Sequence, residues 1–296
     1  MKVTLGLAFA LILSATGFAQ TRYFGPFDCD ETCMDRVHTF SNVAMIRIHP
    51  GNPERDVQQI EHARRLGMKV ILSYFPQYLQ EAHDRNAPGQ QRQWDNWVGA
   101  VRQYQDAVVA IYPFDEPYLA AIRRVAPLRQ MSKGQANSIK KSAKGSLATA
   151  AGRIKRNFPN AALIYVEAHT LVNDELEIPE GFDWIGTDCY DNWDSCQGRS
   201  IPEYYEILKS KMNGGQKLVA VLPGFIREGG NGPHQPQQLA DLARRYGTFI
   251  RGNPRFAAGL IWTYQSYPKL QSRGLDQMDP SLLAGYAAVA REIGAK

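Results

Sequence analysis

Short apolar runs recur along this chain at even intervals, each followed by a longer stretch with helical spacing. The runs read as strands at Arg22–Phe27, Val43–His49, Lys69–Phe75, Val108–Phe114, Ala162–Ala168, Trp184–Tyr190, Lys217–Pro223 and Ala258–Tyr264. Helical patterns lie at Glu31–Phe40, Glu54–Leu66, Gln93–Tyr104, within Asn137–Phe158, and at Pro202–Met212, Pro236–Phe249 and Pro280–Ile293. Several runs (VAMIRI, VILSYF, VVAIYPF, KLVAVLP) are apolar almost without interruption, as parallel strands covered on both faces are. Eight strands alternating with helices predict an α/β fold, a single (β/α)8 TIM barrel over residues 20–296. A doubly wound sheet would want a G-x-G-x-x-G turn after the first strand, and none is present. With 44% hydrophobic and 21% charged residues, the chain is outside the disordered, collagen-like and small disulfide-scaffold classes.

The N-terminus has its own logic. A single cation, Lys2, precedes an apolar stretch from Val3 to Leu13, and a small-residue tail ends in Gly17 and Ala19. This pattern predicts a signal peptide over residues 1–19, cut before Gln20, and a secreted or periplasmic protein. The rival, an uncleaved anchor, needs about 20 apolar residues, more than the stretch supplies. Export suits the cysteines, which fall in two close pairs, Cys29/Cys33 and Cys189/Cys196, expected as disulfides. Neither pair has the spacing of a zinc knuckle, and no cofactor or metal is expected.

In such a barrel the active site forms at the C-terminal ends of the strands. Read in order, those ends carry Arg47 and His49, Tyr74, Asp115-Glu116-Pro117, Glu167 and His169, then Asp188, Tyr190, Asp191 and Trp193. Trp262, Tyr264 and Gln265 complete the series. Carboxylates and flat rings converging on one mouth suit a polysaccharide or oligosaccharide. Rings stack on sugar C–H faces, and carboxylates hold hydroxyls or act on the glycosidic oxygen. Arg47, His49, Tyr74, His169, Asp188, Tyr190, Trp262, Tyr264 and Gln265 are the expected substrate-binding residues.

The segment Ala110-Ile-Tyr-Pro-Phe-Asp-Glu-Pro117 resembles the fourth-strand signature of the (trans)glycosidase TIM-barrel superfamily, in which a Glu closing that strand is the catalytic acid. The resemblance implies a glycoside hydrolase with Glu116 as acid. The seventh strand departs from the superfamily pattern, because it ends Leu-Pro-Gly224 without a carboxylate; the nearest is Glu228. The arrangement is similar to barrels that cut amino-sugar exopolysaccharides, the endo-galactosaminidase type. Some of these carry an Asp-Glu pair on strand four and a Glu on strand five, which Asp115, Glu116 and Glu167 would match.

Two carboxyls that divide acid and base work must differ in proton affinity. Ile111, Phe114 and Pro117 are placed to desolvate Glu116, and Asp115 adds like charge if both carboxyls reach the same side. Neighbouring strand residues point to opposite faces, so the end of the strand must turn one of them. Glu167 is the expected second carboxylate, with Asp188 next and Glu228 further off. On an N-acetylated substrate, Asp115 would instead orient the acetamido group. Each residue also has a plain structural reading: Asp115 as a cap, Glu167 as a partner of Arg47, the histidines as packing residues, Trp262 and Tyr264 as core, Trp193 as cover for a disulfide loop. Two other functions remain open, a barrel that binds carbohydrate without cleaving it, and a metal-dependent hydrolase using His49, Asp188 and His169.

From Pro117 to Val166 there is no acid, while Arg123, Arg124, Arg129, Lys133, Lys140, Lys141, Lys144, Arg153, Lys155 and Arg156 are basic. This segment, 123–156, is either a solvated helix surface or a docking face for an anionic polymer or envelope surface, and its first part reads as a long loop overhanging the site. A net charge of +5 with no recognised module does not point to nucleic acid. A monomer is expected.

Overall fold

A computed structural model describes residues 22–73, 88–229 and 232–296. The expected signal peptide over 1–19 and Tyr74 lie outside the described residues. The order is β1 (Tyr23–Pro26), α1 (Glu31–Val37), β2 (Val43–Arg47), α2 (Pro53–Arg65), β3 (Lys69–Ser73), α3 (Pro88–Val101), β4 (Val108–Tyr112), α4 (Pro117–Val125) and α5 (Lys133–Asn157). It continues with β5 (Ala162–Ala168), β6 (Trp184–Asp188), α6 (Ile201–Lys211), β7 (Lys217–Pro223), α7 (Pro236–Arg251), β8 (Phe256–Trp262) and α8 (Pro280–Glu292). The strands form one parallel sheet in the order β1-β8-β7-β6-β5-β4-β3-β2, which curls into the (β/α)8 barrel the sequence predicts. A two-stranded ribbon, Phe225–Arg227 with Ser272–Gly274, sits over the late strands.

Strand parity sorts the side chains into two apolar layers. Met45, Ile71, Ala110, Tyr112, Ile164, Val166, Val219 and Leu260 fill the barrel interior. Ile46, Leu72, Ile111, Leu163, Tyr165 and Ile261 face the helices. Between β1 and β2 the regular ladder gives way to a seam held by Asn42. Its amide N–H donates to Phe24 O (3.2 Å), its Oδ1 accepts from Phe24 N (2.8 Å), and its Nδ2 donates to Arg22 O (2.8 Å). Higher up, Cys29 N donates to Met45 O at 2.9 Å.

One feature differs from the sequence expectation. The fourth strand is followed by two helices, where a loop was expected over the first part of the basic segment. Pro117 starts α4 immediately after the Asp-Glu pair, because its fixed φ suits the first helical turn. The fifth strand is followed only by the short turn His169–Leu171, and α4 packs against β5. The rest of the basic segment lies on α5, as one of its two readings expected, and three of its cations meet acids of the β5–β6 connection: Lys133 pairs with Glu175, Lys144 with Glu177 and Lys155 with Asp183. The expected disulfide partners are joined, Cys29 to Cys33 beside α1 and Cys189 to Cys196 after β6.

Candidate active site

β4 ends at Tyr112, yet Asp115 still pairs with Val166 of β5 through a parallel bridge. Glu116 then adopts a left-handed backbone, φ 41° and ψ 58°. A non-glycine residue held there costs of order 1–3 kcal/mol, which the surrounding structure must impose. This turn brings two consecutive carboxyls to one rim, as the sequence argument requires. Asp188, the last residue of β6, lies level with Ala168 of β5, and its carboxyl meets that of Glu116.

Hydrogen bonds fix the other two acids. Asp115 accepts from the Tyr112 hydroxyl at 2.6 Å and Asp188 Oδ2 from the Tyr190 hydroxyl at 3.2 Å. Asp188 Oδ1 is sealed from solvent, whereas the Glu116 side chain keeps 22% of its exposure and reaches the Arg123 guanidinium at 3.4 Å. Burial and then the charges of Glu116 and Asp115 push Asp188 well above the usual carboxylate range. Burial and then Asp115 raise Glu116, while Arg123 and the contact with Asp188 pull it down. Asp115 is open at the rim but enclosed below; desolvation raises it, and the Tyr112 hydrogen bond opposes that. Three such carboxyls cannot all ionise together, so the group retains a proton where isolated carboxylates have lost theirs. The Tyr112 and Tyr190 phenols, raised by burial and these charges, stay protonated as donors.

Across the mouth, Asp28 follows β1 in a left-handed turn (φ 48°) and accepts from Arg47 Nη2 (2.9 Å) and the Tyr267 hydroxyl (2.8 Å). Trp262 is half-buried, stacked on Tyr267 at 6.3 Å with 12° between the planes and edge-on to Phe27 at 5.3 Å. Gln265 reaches Asp30 with its amide at 3.4 Å, and Asp191 accepts from Gly232 N at 2.9 Å.

Several expected site residues are elsewhere. Glu167 is fully buried on the helix-facing side of β5 and does not face Glu116 or Arg47. Its carboxylate accepts from the amides of Tyr118 (2.8 Å), Leu119 (3.2 Å) and Ala168 (3.1 Å) and from the Tyr165 hydroxyl (2.9 Å). The parity of β5 explains the correction, since Ile164 and Val166 point inward and Tyr165 and Glu167 outward. Tyr264 is a second correction: β8 stops at Trp262, and the Tyr264 ring is buried in the outer layer. His169 Nδ1–H donates to Asp188 O at 2.9 Å, and its ring packs edge-on against Tyr204. His49 donates from Nδ1 to buried Asp56 at 3.0 Å; Asp56 also accepts from His49 N and Trp97 Nε1. Among the described residues, His49, Asp188 and His169 do not form a cluster for a metal, and the one group of suitable atoms is His169 with the disulfide-bonded Cys189 and Cys196. Trp193 packs on Tyr246 and Phe249, and Glu228 is exposed beside the ribbon.

Sequence reading missed Tyr112, Asp28 and Tyr267, and the approach of Arg123 to Glu116. Asp28 follows the first strand and was open to the strand-end rule; Tyr112 closes β4, three residues before Asp115. Tyr267 sits in a loop with no pattern to mark it.

Desolvation outweighs the four hydrogen bonds to Glu167 and lifts its pKa from 4.5 to about 7. Folding therefore takes up a proton here. This contribution to stability is complete below about pH 4.5 and is lost as the pH rises through 7, roughly 3 kcal/mol in all. Urea unfolding of wild type and Glu167→Gln between pH 4.5 and 8 follows it, and the same pair in a Glu116→Gln background removes any accompanying change at Glu116. The wild-type stability is expected to fall relative to the variant across this window; a constant difference would show an ordinary pKa at Glu167.

No family model and no curated protein matches the chain. Solved structures do. At TM-score 0.62 and 11% identity, the chain is similar to beta-glucuronidase 2 of Bacteroides uniformis over 92% of its own length and 35% of that protein's, so it spans about a third of that relative. It is similar to xylanase 10B of Thermotoga maritima at TM-score 0.57 and 13% identity, covering 93% of this chain and 96% of the other. With the family 1 β-glucosidase of Thermotoga maritima the values are 0.56, 11%, 90% and 86%. The fold resembles glycoside hydrolase barrels.

Proposed function

We propose that the protein is an exported glycoside hydrolase acting on a polysaccharide through Glu116, Asp188 and Asp115. The observation that carries this reading is the contact of the Glu116 and Asp188 carboxyls beside Asp115 at the C-terminal mouth of a barrel whose structural neighbours are glycosidases. Glu116, the less enclosed of the touching pair, gives the shared proton to the leaving glycosidic oxygen. Asp188, the more tightly protonated partner, shares that proton with Glu116 in place of the role expected for Glu167, and Asp115, held by Tyr112, faces the charge that develops on the sugar. Trp262 and Tyr267 supply a flat wall for a sugar face. The signal-like N-terminus and the two disulfides support export.

Reducing-end release from a panel of neutral and amino-sugar exopolysaccharides tests the reading. Wild type is expected to release ends from at least one polymer and Glu116→Gln from none. Trp262→Ala is expected to raise KM about tenfold with a smaller change in kcat, since stacking acts on bound substrate and transition state alike; an unchanged KM would remove Trp262 from the binding wall. A second reading, carbohydrate binding without cleavage, is favoured by the absence of a carboxylate at the end of β7, where the chain reads Leu222-Pro223-Gly224. It predicts retention of a polymer on an affinity gel with no release by either protein.

A further inference from the structure

Helix α4 is not capped by the residue at its start. Glu116 occupies the N-cap position, but its side chain accepts from none of the first backbone amides of the helix and reaches Arg123 instead. Pro117 has no N–H, so the first amides that need an acceptor are those of Tyr118 and Leu119. Both donate to Glu167, which comes from the neighbouring strand and has no solvent exposure. Acidic N-cap side chains normally accept these very amides, so Glu116 is the nearest alternative acceptor if Glu167 is lost. The Tyr165 hydroxyl and the Ala168 amide hold the Glu167 carboxylate from the other side, fixing it to β5.

We propose that Glu167 is the positioning residue for Glu116: by capping α4 from β5 it holds the left-handed turn at position 116 and leaves the Glu116 carboxyl free to meet Asp188. This deepens the proposed function and rests on the role given there to Glu116. Glu167 itself touches no substrate. When ionised, Glu167 also complements the dipole at the start of α4.

The test uses the full chain labelled with carboxyl-13C glutamate, the Glu116 signal being assigned by its loss in Glu116→Gln. In wild type this signal is expected to titrate late. In Glu167→Gln, where one of the two oxygens that accept from the Tyr118 and Leu119 amides becomes an amide donor, Glu116 is expected to turn back onto the helix, and its midpoint to fall by about one pH unit or more, as for capping carboxylates. On a polymer that wild type cleaves, kcat is expected to fall about tenfold or more with KM within about threefold. Tyr165→Phe, which removes one hydrogen bond and keeps the Glu167 carboxyl, covers the case of a Gln variant that does not fold; its Glu116 midpoint is expected to move the same way by a smaller amount. Glu167→Asp is expected to recover part of the wild-type midpoint. A folded Glu167→Gln that is merely less stable, with the Glu116 midpoint unmoved, would overturn the proposal, as would an unmoved midpoint in Tyr165→Phe if that alone folds. If no polymer is cleaved by wild type, the hydrolase reading fails while the carboxyl titration still decides this one.

Discussion

Glu116→Gln is expected to lower the rate of glycosidic cleavage by roughly 10²–10⁴-fold, the range for loss of a positioned general acid. Glutamine has nearly the same shape and keeps contact with Asp188, but it has no proton to give. KM is expected to change little, since the lost interaction belongs to the transition state. Asp115→Asn provides the complementary result. The Asp115 charge is the largest influence after burial that raises Glu116. Removing it lowers the pH at which Glu116 ionises, so the alkaline limb of the kcat/KM profile is expected to move to lower pH. A limb that stays in place would show that another group sets it, and undiminished cleavage by Glu116→Gln would take this residue out of the mechanism.

Gly25→Ala is expected to be the most damaging single-methyl change in the barrel wall. A Cβ at this position would lie 1.7 Å from Val43 O, inside the backbone of β2. No rotamer relieves a clash with backbone, so β1 must move away from β2. The seam there has no regular ladder and depends on Asn42 reaching Arg22 and Phe24 with ordinary hydrogen-bond lengths. Overpacking alone costs about 1–3 kcal/mol, and stretching the Asn42 bonds adds about 1 kcal/mol for each one lost. Thermal melts should show a fall of more than about 10 °C, or no soluble protein. Ala in place of Gly99, which has open space around its Cβ, is the matched control and is expected to melt close to wild type.

The barrel was legible because strands buried on both faces leave unbroken apolar runs, as VILSYF and KLVAVLP do. The same burial removes the alternation that would reveal which way each residue points. Glu167 therefore read as a mouth residue when its parity with Leu163 and Tyr165 turns it toward the helices. Tyr264 was misplaced for a related reason: β8 lies two residues earlier than its apolar run suggested, so the residue falls beyond the rim. Asp115, Glu116 and Asp188 stood out as acids at strand ends, but their meeting depends on the left-handed turn at Glu116, which sequence marks only through the following proline. Tyr267 reaches the mouth through a loop and its bond to Asp28, a long-range contact that no local pattern carries.

α4 leaves β4 with only four residues between them, and it leans on β5 rather than continuing into a free connection. Engineers of barrels of this kind retune specificity by exchanging the segments that follow the strands. Here the fourth such segment is not a spare part, because the acid, the proline and the start of the helix share one rigid joint. A swap after β4 would remove the Glu116 turn together with the helix start that Glu167 holds.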